Sequence, residues 1–151
     1  MTEQDFRDAI VREARSWLRT PYHHHGDVKG VGVDCAMILV RVYAVVGVTD
    51  ARLDPRPYPQ DWHLHRDSER YLETVMPYVR EISKEEVLPG DLVLTKFGRT
   101  YSHSAIVIDY PRVIHAYAVD ITERLNLEQQ LPAFGQSRHQ ARTWAAAASG
   151  G

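Results

Sequence analysis

The chain holds a single cysteine among 151 residues. One thiol excludes an intrachain disulfide and any polycysteine metal site, and it is compatible with a reducing compartment without proving one. Long apolar runs are absent as well: none reaches the ~20 residues of a membrane-spanning helix, so no membrane insertion is expected. Positive charge is not in excess. Lys and Arg number 18 against 20 Asp and Glu, for a net charge of -2, which leaves no general polycation for nucleic acid and makes it an unexpected partner. The first residues, MTEQDFRDAIVREARSW, are charged throughout and lack the apolar core of a signal peptide, so export through one is not expected. What is present is the balance of a globular domain, 44% hydrophobic and 25% charged, long enough to bury a core unaided.

The lone cysteine sits in the stretch around which the chain is organised, Thr20 to Gly47. A loop punctuated by Gly26, Gly30 and Gly32 leads to Asp34 and Cys35, and nearly every residue from there to Val46 is apolar. This pattern predicts a buried helix starting at Cys35, with Gly47 as its left-handed stop. A thiol at a helix N-terminus lies in the positive end of the macrodipole, which is expected to favour thiolate. The alternative is an inert core filler, the commoner fate of an isolated cysteine.

Upstream, residues 2–19 read as an amphipathic helix. Thr2 and Asp5 stand at capping-box spacing, and Phe6, Ile10, Ala14 and Trp17 share a face suited to packing. Downstream, Leu53 to Trp62 (LDPRPYPQDW) carries three prolines and predicts an extended surface connection bordering a cleft. His63 and His65 follow as loop histidines. Tyr71, Leu72, Val75, Met76 and Val79 recur at helical spacing and predict a second packing helix over Arg66 to Val79. From LPGD (Leu88 to Asp91) onward the period changes: DLVLTKF, HSAIVID and RVIHAYAV are short, β-rich and separated by turn residues, with ITERLNL as a further strand. Helices followed by strands predict an α+β domain, N-terminal helices packed on an antiparallel β-sheet. One domain is expected over residues 1–144, and the small, low-complexity end, 145–151, as a disordered tail.

A nucleophilic thiol needs a base, and histidine suits that task near neutral pH. His103 and His115 lie on adjacent predicted strands, twelve positions apart. A hairpin loop centred on Asp109 sets them directly opposite each other, with Cβ atoms about 4.5–5.5 Å apart. A one-residue register change would put them on opposite faces. Taken singly, each is otherwise an ordinary half-buried strand histidine. The adjacent His23, His24 and His25 do not converge on one ion in the manner of metal ligands, so metal: none is the expectation, and they read as loop residues positioned to touch an acidic ligand.

TPYHHHGDVKGVGVDC, LPGDLVL and HSAIVIDYPRVIHAYA, in this order, resemble the loop and nucleophile turn, the first core strand and the paired catalytic strands of the NlpC-type cell-wall cysteine peptidases. These belong to the papain-like clan, and the likeness is closest to short versions found among phage tail proteins. The resemblance implies a papain-like core in which Cys35 is the nucleophile, His103 the general base and His115 the third, orienting member. It also implies that Tyr22 lines the pocket and can donate to an oxyanion, with His23, His24 and Asp34 beside the substrate, Asp34 shaping the turn rather than moving a proton. The implied reaction is cofactor-free hydrolysis of an amide in a peptidoglycan stem peptide, D-glutamyl-diaminopimelate or D-glutamyl-lysine. The implied partners are that peptide and other tail proteins; the implied location is a bacterial cytoplasm during synthesis, then a phage virion tail. Where the family shows DCSG, this chain has Asp34-Cys35-Ala36-Met37, with Met37 expected to pack into the helix core. A noncatalytic tail component that keeps the fold, a histidine-rich metal module and an acyl transferase are the other readings.

Overall fold

A computed structural model describes residues 2–49, 52–56, 76–97, 100–116, 126–130 and 140–146, and at 76, 84, 95–97, 100–103, 126–130 and 140–146 it describes the backbone alone. Helix α1, Glu3–Ser16, opens with the expected capping box: Thr2 Oγ1 accepts from Asp5 N–H, and the Asp5 carboxylate accepts from Thr2 N–H. Its inward face carries Ile10 and Ala14, continued by Trp17 after the helix ends. Helix α2, Cys35–Val45, begins at the cysteine and stops at Gly47, whose φ of +88° is the left-handed conformation glycine adopts without a Cβ penalty. Met37 is buried in the core, as expected of its place two residues past Cys35 in an apolar helix.

Between the helices, β1 (Asp27–Val28) and β2 (Gly32–Val33) form a small hairpin. The main sheet has six strands: β3 (Val79–Ile82), β4 (Leu92–Phe97), β5 (Thr100–Asp109), β6 (Arg112–Ala116), β7 (Asn126–Gln130) and β8 (Gln140–Ala146). Their spatial order is β3-β8-β4-β5-β6-β7, all neighbours antiparallel. The run β4 to β7 is the expected meander. The helices cover one face through Leu92, Leu94, Ile106, Ile108, Ile114 and Ala116, while Val93, Ala105, Val107 and Val113 form a second cluster on the other face. This is the period-two alternation of a sheet buried on both sides.

Two expectations differ from the structure. The end of the helix anticipated over Arg66 to Val79 is a 3-10 turn, Met76–Tyr78, leading into β3; Pro77 has no N–H to give a helical ladder, and the preceding residues lie outside the described set. The last strand runs through Ala145 and Ala146, where the tail was expected to start. The further strand expected over Ile121 to Leu127 is met at its end by β7, Asn126–Gln130, while residues 121–125 lie outside the described residues. His63 and His65 also fall outside them, as do residues 57–62 of the proline-rich connection. Among the described residues no helix is long and apolar enough to cross a membrane.

The LPGD turn ties the layers together. Asp91 is 1% exposed; its Oδ1 accepts from Arg7 of α1 at 2.7 Å and its Oδ2 from Leu88 N–H at 2.9 Å. Tyr43 of α2 donates its hydroxyl to Gly90 O at 2.8 Å, and Val107 N–H donates to Asp91 O. One turn thereby fixes both helices to the centre of the sheet.

Candidate active site

Cys35 occupies the first position of α2, delivered there by a loop whose turns are set by its own residues. Asp34 caps the helix, its Oδ1 accepting from Met37 N–H at 2.9 Å, and its Oδ2 accepts from His25 N–H at 2.8 Å. At 2% exposure, with both oxygens engaged by backbone N–H groups, this carboxylate serves the turn. Gly26 is required by close approach, because a Cβ there would stand 2.6 Å from Gly32 C. Thr20 Oγ1, also buried, accepts from Gly30 N–H at 3.0 Å.

The thiol meets the sheet at β5. Ser104 donates its hydroxyl to Cys35 O at 2.9 Å, and the backbone N–H groups of Ser104, Cys35 and Ala36 act on the sulfur in favour of thiolate. They do not prevail. Burial, and after it the charge of Asp34, push the Cys35 thiol well above its ordinary range, so the expectation of a thiolate stabilised by the helix end is corrected. Desolvation of an anion packed against the apolar core outweighs the field of one helix terminus.

The Ser104 N–H belongs to the peptide that joins it to His103, so the sheet residue that meets Cys35 is the chain neighbour of the expected base. The hairpin register differs from the expected one. Ile106 pairs with Ile114 and Val107 with Val113, with an irregularity before Asp109. Continuing that ladder puts Ala105 across from His115, so His103 and His115 take diagonal rather than directly opposed positions. The turn is centred beyond Asp109, at Tyr110 and Pro111. The shift is even and keeps the two positions in phase. His115 is fully buried, in phase with Val113; the side chain of His103 lies outside the described set.

Tyr22 is half-buried against the main core and bridges in parallel to Val33, beside the nucleophile turn. His23 is exposed, with Nδ1 2.9 Å from His24 O, and His24 and His25 stack with ring centroids 3.8 Å apart. His25 holds φ +65°. Arg56, from the start of the proline-rich connection, donates to His25 O at 3.0 Å and binds Asp54 through Nε at 2.8 Å and Nη2 at 2.6 Å. That pairing holds the Asp54 carboxyl down at about 2. Asp27 joins this connection to α2 by pairing with both Arg56 and Arg41. Among the described residues no cluster of three His, Cys, Asp or Glu is placed to hold a metal ion. Sequence reasoning missed Ser104 and Arg56. Ser104 had left a signal: a hydroxyl in phase with Ile106 and Ile108 on a core-facing row.

A sequence model of the NlpC/P60 family matches residues 19–145. The chain belongs to the NlpC/P60 family. Solved structures agree at the level of fold. The NlpC/p60 domain of the peptidoglycan hydrolase SagA superposes with a TM-score of 0.60 at 21% identity, over 94% of this chain and 98% of that one. A lipoprotein-like NLP/P60 protein from Staphylococcus aureus gives 0.61 at 22% identity, over 93% of this chain and 42% of that one. RipD from Mycobacterium tuberculosis, described as a non-catalytic NlpC/p60 domain protein adapted to peptidoglycan binding, gives 0.55 at 13% identity, over 91% and 95%. No curated protein sequence matches the chain. This NlpC/P60 chain is thus an α+β, papain-like domain of a family of peptidoglycan hydrolases, and its neighbours include domains with and without catalysis.

Proposed function

We propose that this NlpC/P60 domain is a cysteine endopeptidase acting on peptidoglycan stem peptides, at the D-glutamyl-diaminopimelate or D-glutamyl-lysine amide. The observation that supports this reading is the bond from the Ser104 hydroxyl to Cys35 O at 2.9 Å, which ties the residue proposed as nucleophile to the strand that carries the proposed base. With the resting thiol held protonated, attack needs proton removal by His103. The sulfur bonds to the amide carbonyl carbon as its proton passes to the imidazole, and the imidazolium then protonates the leaving amine. Water, deprotonated by the same imidazole, splits the thioester and restores the thiol. His115 orients His103 from the adjoining strand, and the Tyr22 hydroxyl donates to the oxyanion.

The second reading is a noncatalytic domain that binds peptidoglycan or builds a phage tail. The stronger hold of the buried Cys35 thiol on its proton and the non-catalytic RipD neighbour favour it. Synthesis in a bacterial cytoplasm followed by assembly into a tail belongs to both readings. The deciding experiment incubates the protein and its Cys35→Ala variant with stem-peptide fragments of both types and identifies new termini by mass spectrometry. Cleavage lost in Cys35→Ala supports the peptidase; binding without cleavage across both substrates supports the second reading.

A further inference from the structure

The loop of three histidines has no part in the reaction above, yet it packs on the carboxylate that precedes the nucleophile. His24 Nδ1 stands 3.8 Å from Asp34 Oδ2. At that distance a neutral imidazole gains no hydrogen bond, whereas an imidazolium gains a Coulomb attraction. Protonation therefore switches the contact on. Asp34 cannot swing away to meet or avoid the charge, because Met37 N–H and His25 N–H hold its two oxygens. The stack of His24 on His25 fixes the ring from the other side.

Among the described residues, the charged and titratable groups on and beside the His24 loop come from four elements. On its own loop are His25 and His23, the latter with Nδ1 against His24 O. From the cap and first turn of α2 come Asp34 and Cys35. From the proline-rich connection comes Arg56, bonded to His25 O and to Asp54. From β1 comes Asp27, which pairs with Arg56 and with Arg41 of α2. The two arginines are matched by Asp27 and Asp54, so proton uptake at His24 is the change in charge that falls directly on Asp34.

We propose that His24 is a positioning residue which, when protonated, offsets the Asp34 carboxylate beside Cys35 and so readies the thiol to ionise. The sign follows from the site: after burial, the Asp34 charge is what holds the thiol up. The inference rests on Cys35 being the nucleophile of the proposed peptidase, but its test needs no amide cleavage.

The single cysteine makes alkylation by iodoacetamide a specific readout by mass. Rates are measured from pH 5 to 8 on the full chain carrying His103→Ala, which removes the other expected base. A thiol titrating alone gives a line of unit slope in log rate against pH. With His24 coupled, the line flattens through the imidazole range, leaving the rate at its acid end about tenfold above the extrapolated line, the equivalent of one pKa unit. Adding His24→Gln, or His24→Phe to keep the stacked shape, is expected to restore unit slope. A straight line in the parent overturns the proposal without any His24 variant, and so does flattening that persists in either folded variant. Failure to cleave stem peptides leaves these profiles unchanged, so the two ideas fail separately.

Discussion

Removing the Asp91 carboxylate tests whether the LPGD turn is the fastening between helices and sheet. In Asp91→Ala the Arg7 guanidinium, 12% exposed, loses its 2.7 Å partner, and Leu88 N–H loses its acceptor. Breaking a buried pair from one side costs about 3–5 kcal/mol. Arg7 keeps Glu3 Oε1 and Pro89 O, each at 3.0 Å, which sets the expectation near the low end, about 3 kcal/mol. For a domain of this size that is roughly 6–12 °C in Tm. Urea denaturation of wild type, Arg7→Ala, Asp91→Ala and the double variant measures the cost and the coupling, the latter expected at about 2 kcal/mol for groups in direct contact. A cost below about 1 kcal/mol for Asp91→Ala, or additive single variants, refutes the assignment.

Cys35 makes stability fall in alkali. The folded thiol keeps a proton that the unfolded chain loses above its ordinary 9.0, so stability is intact below that value and declines above it, by up to about 1.4 kcal/mol per pH unit. Buried Tyr43, raised by burial and then by the Asp91 charge, adds to the decline above 10.0. Urea midpoints at pH 8 and 10 are expected to converge in Cys35→Ala relative to wild type; an equal decline in both proteins contradicts the thiol's part. Ser104→Ala deletes the hydroxyl bond to Cys35 O and is expected to cost about 1 kcal/mol while slowing stem-peptide cleavage, measured by chemical denaturation and initial rates; unchanged values for both remove Ser104 from the site. His25→Gly relieves a left-handed residue worth about 1–2 kcal/mol, partly offset by about 0.4–1 kcal/mol of unfolded-state entropy. The variant is expected to melt at or slightly above wild type, and a drop of several degrees shows that the imidazole contributes more than its backbone costs.

Local features were readable in the residues. The Thr2 and Asp5 capping box and the Gly47 stop depend on neighbours within one turn, and the strands of the LPGD half declare themselves by β-branched residues between turns. The hairpin register was out by two positions because the chain turns at Tyr110 and Pro111 rather than at Asp109, and the irregularity before Asp109 trims that displacement to an even one, a backbone choice that composition does not encode. Strands β3 and β8 were hidden for a different reason: they pair with each other and β8 with β4, between residues 44 to 67 positions apart. Residues such as Ala145 carry no strand preference strong enough to announce it. The acidity of Cys35 was misjudged because the macrodipole is local to the helix, whereas the apolar surroundings arrive only when the helix docks.

The clasp between Ser104 and Cys35 joins residues 69 positions apart. A chain emerging or refolding with only its first half in place has the thiol but not the strand that completes it. The surroundings that raise the thiol's hold on its proton are therefore completed only when the two halves of the domain meet. Partly folded copies carry a thiol of ordinary acidity, more readily ionised than the one that docking against β5 buries.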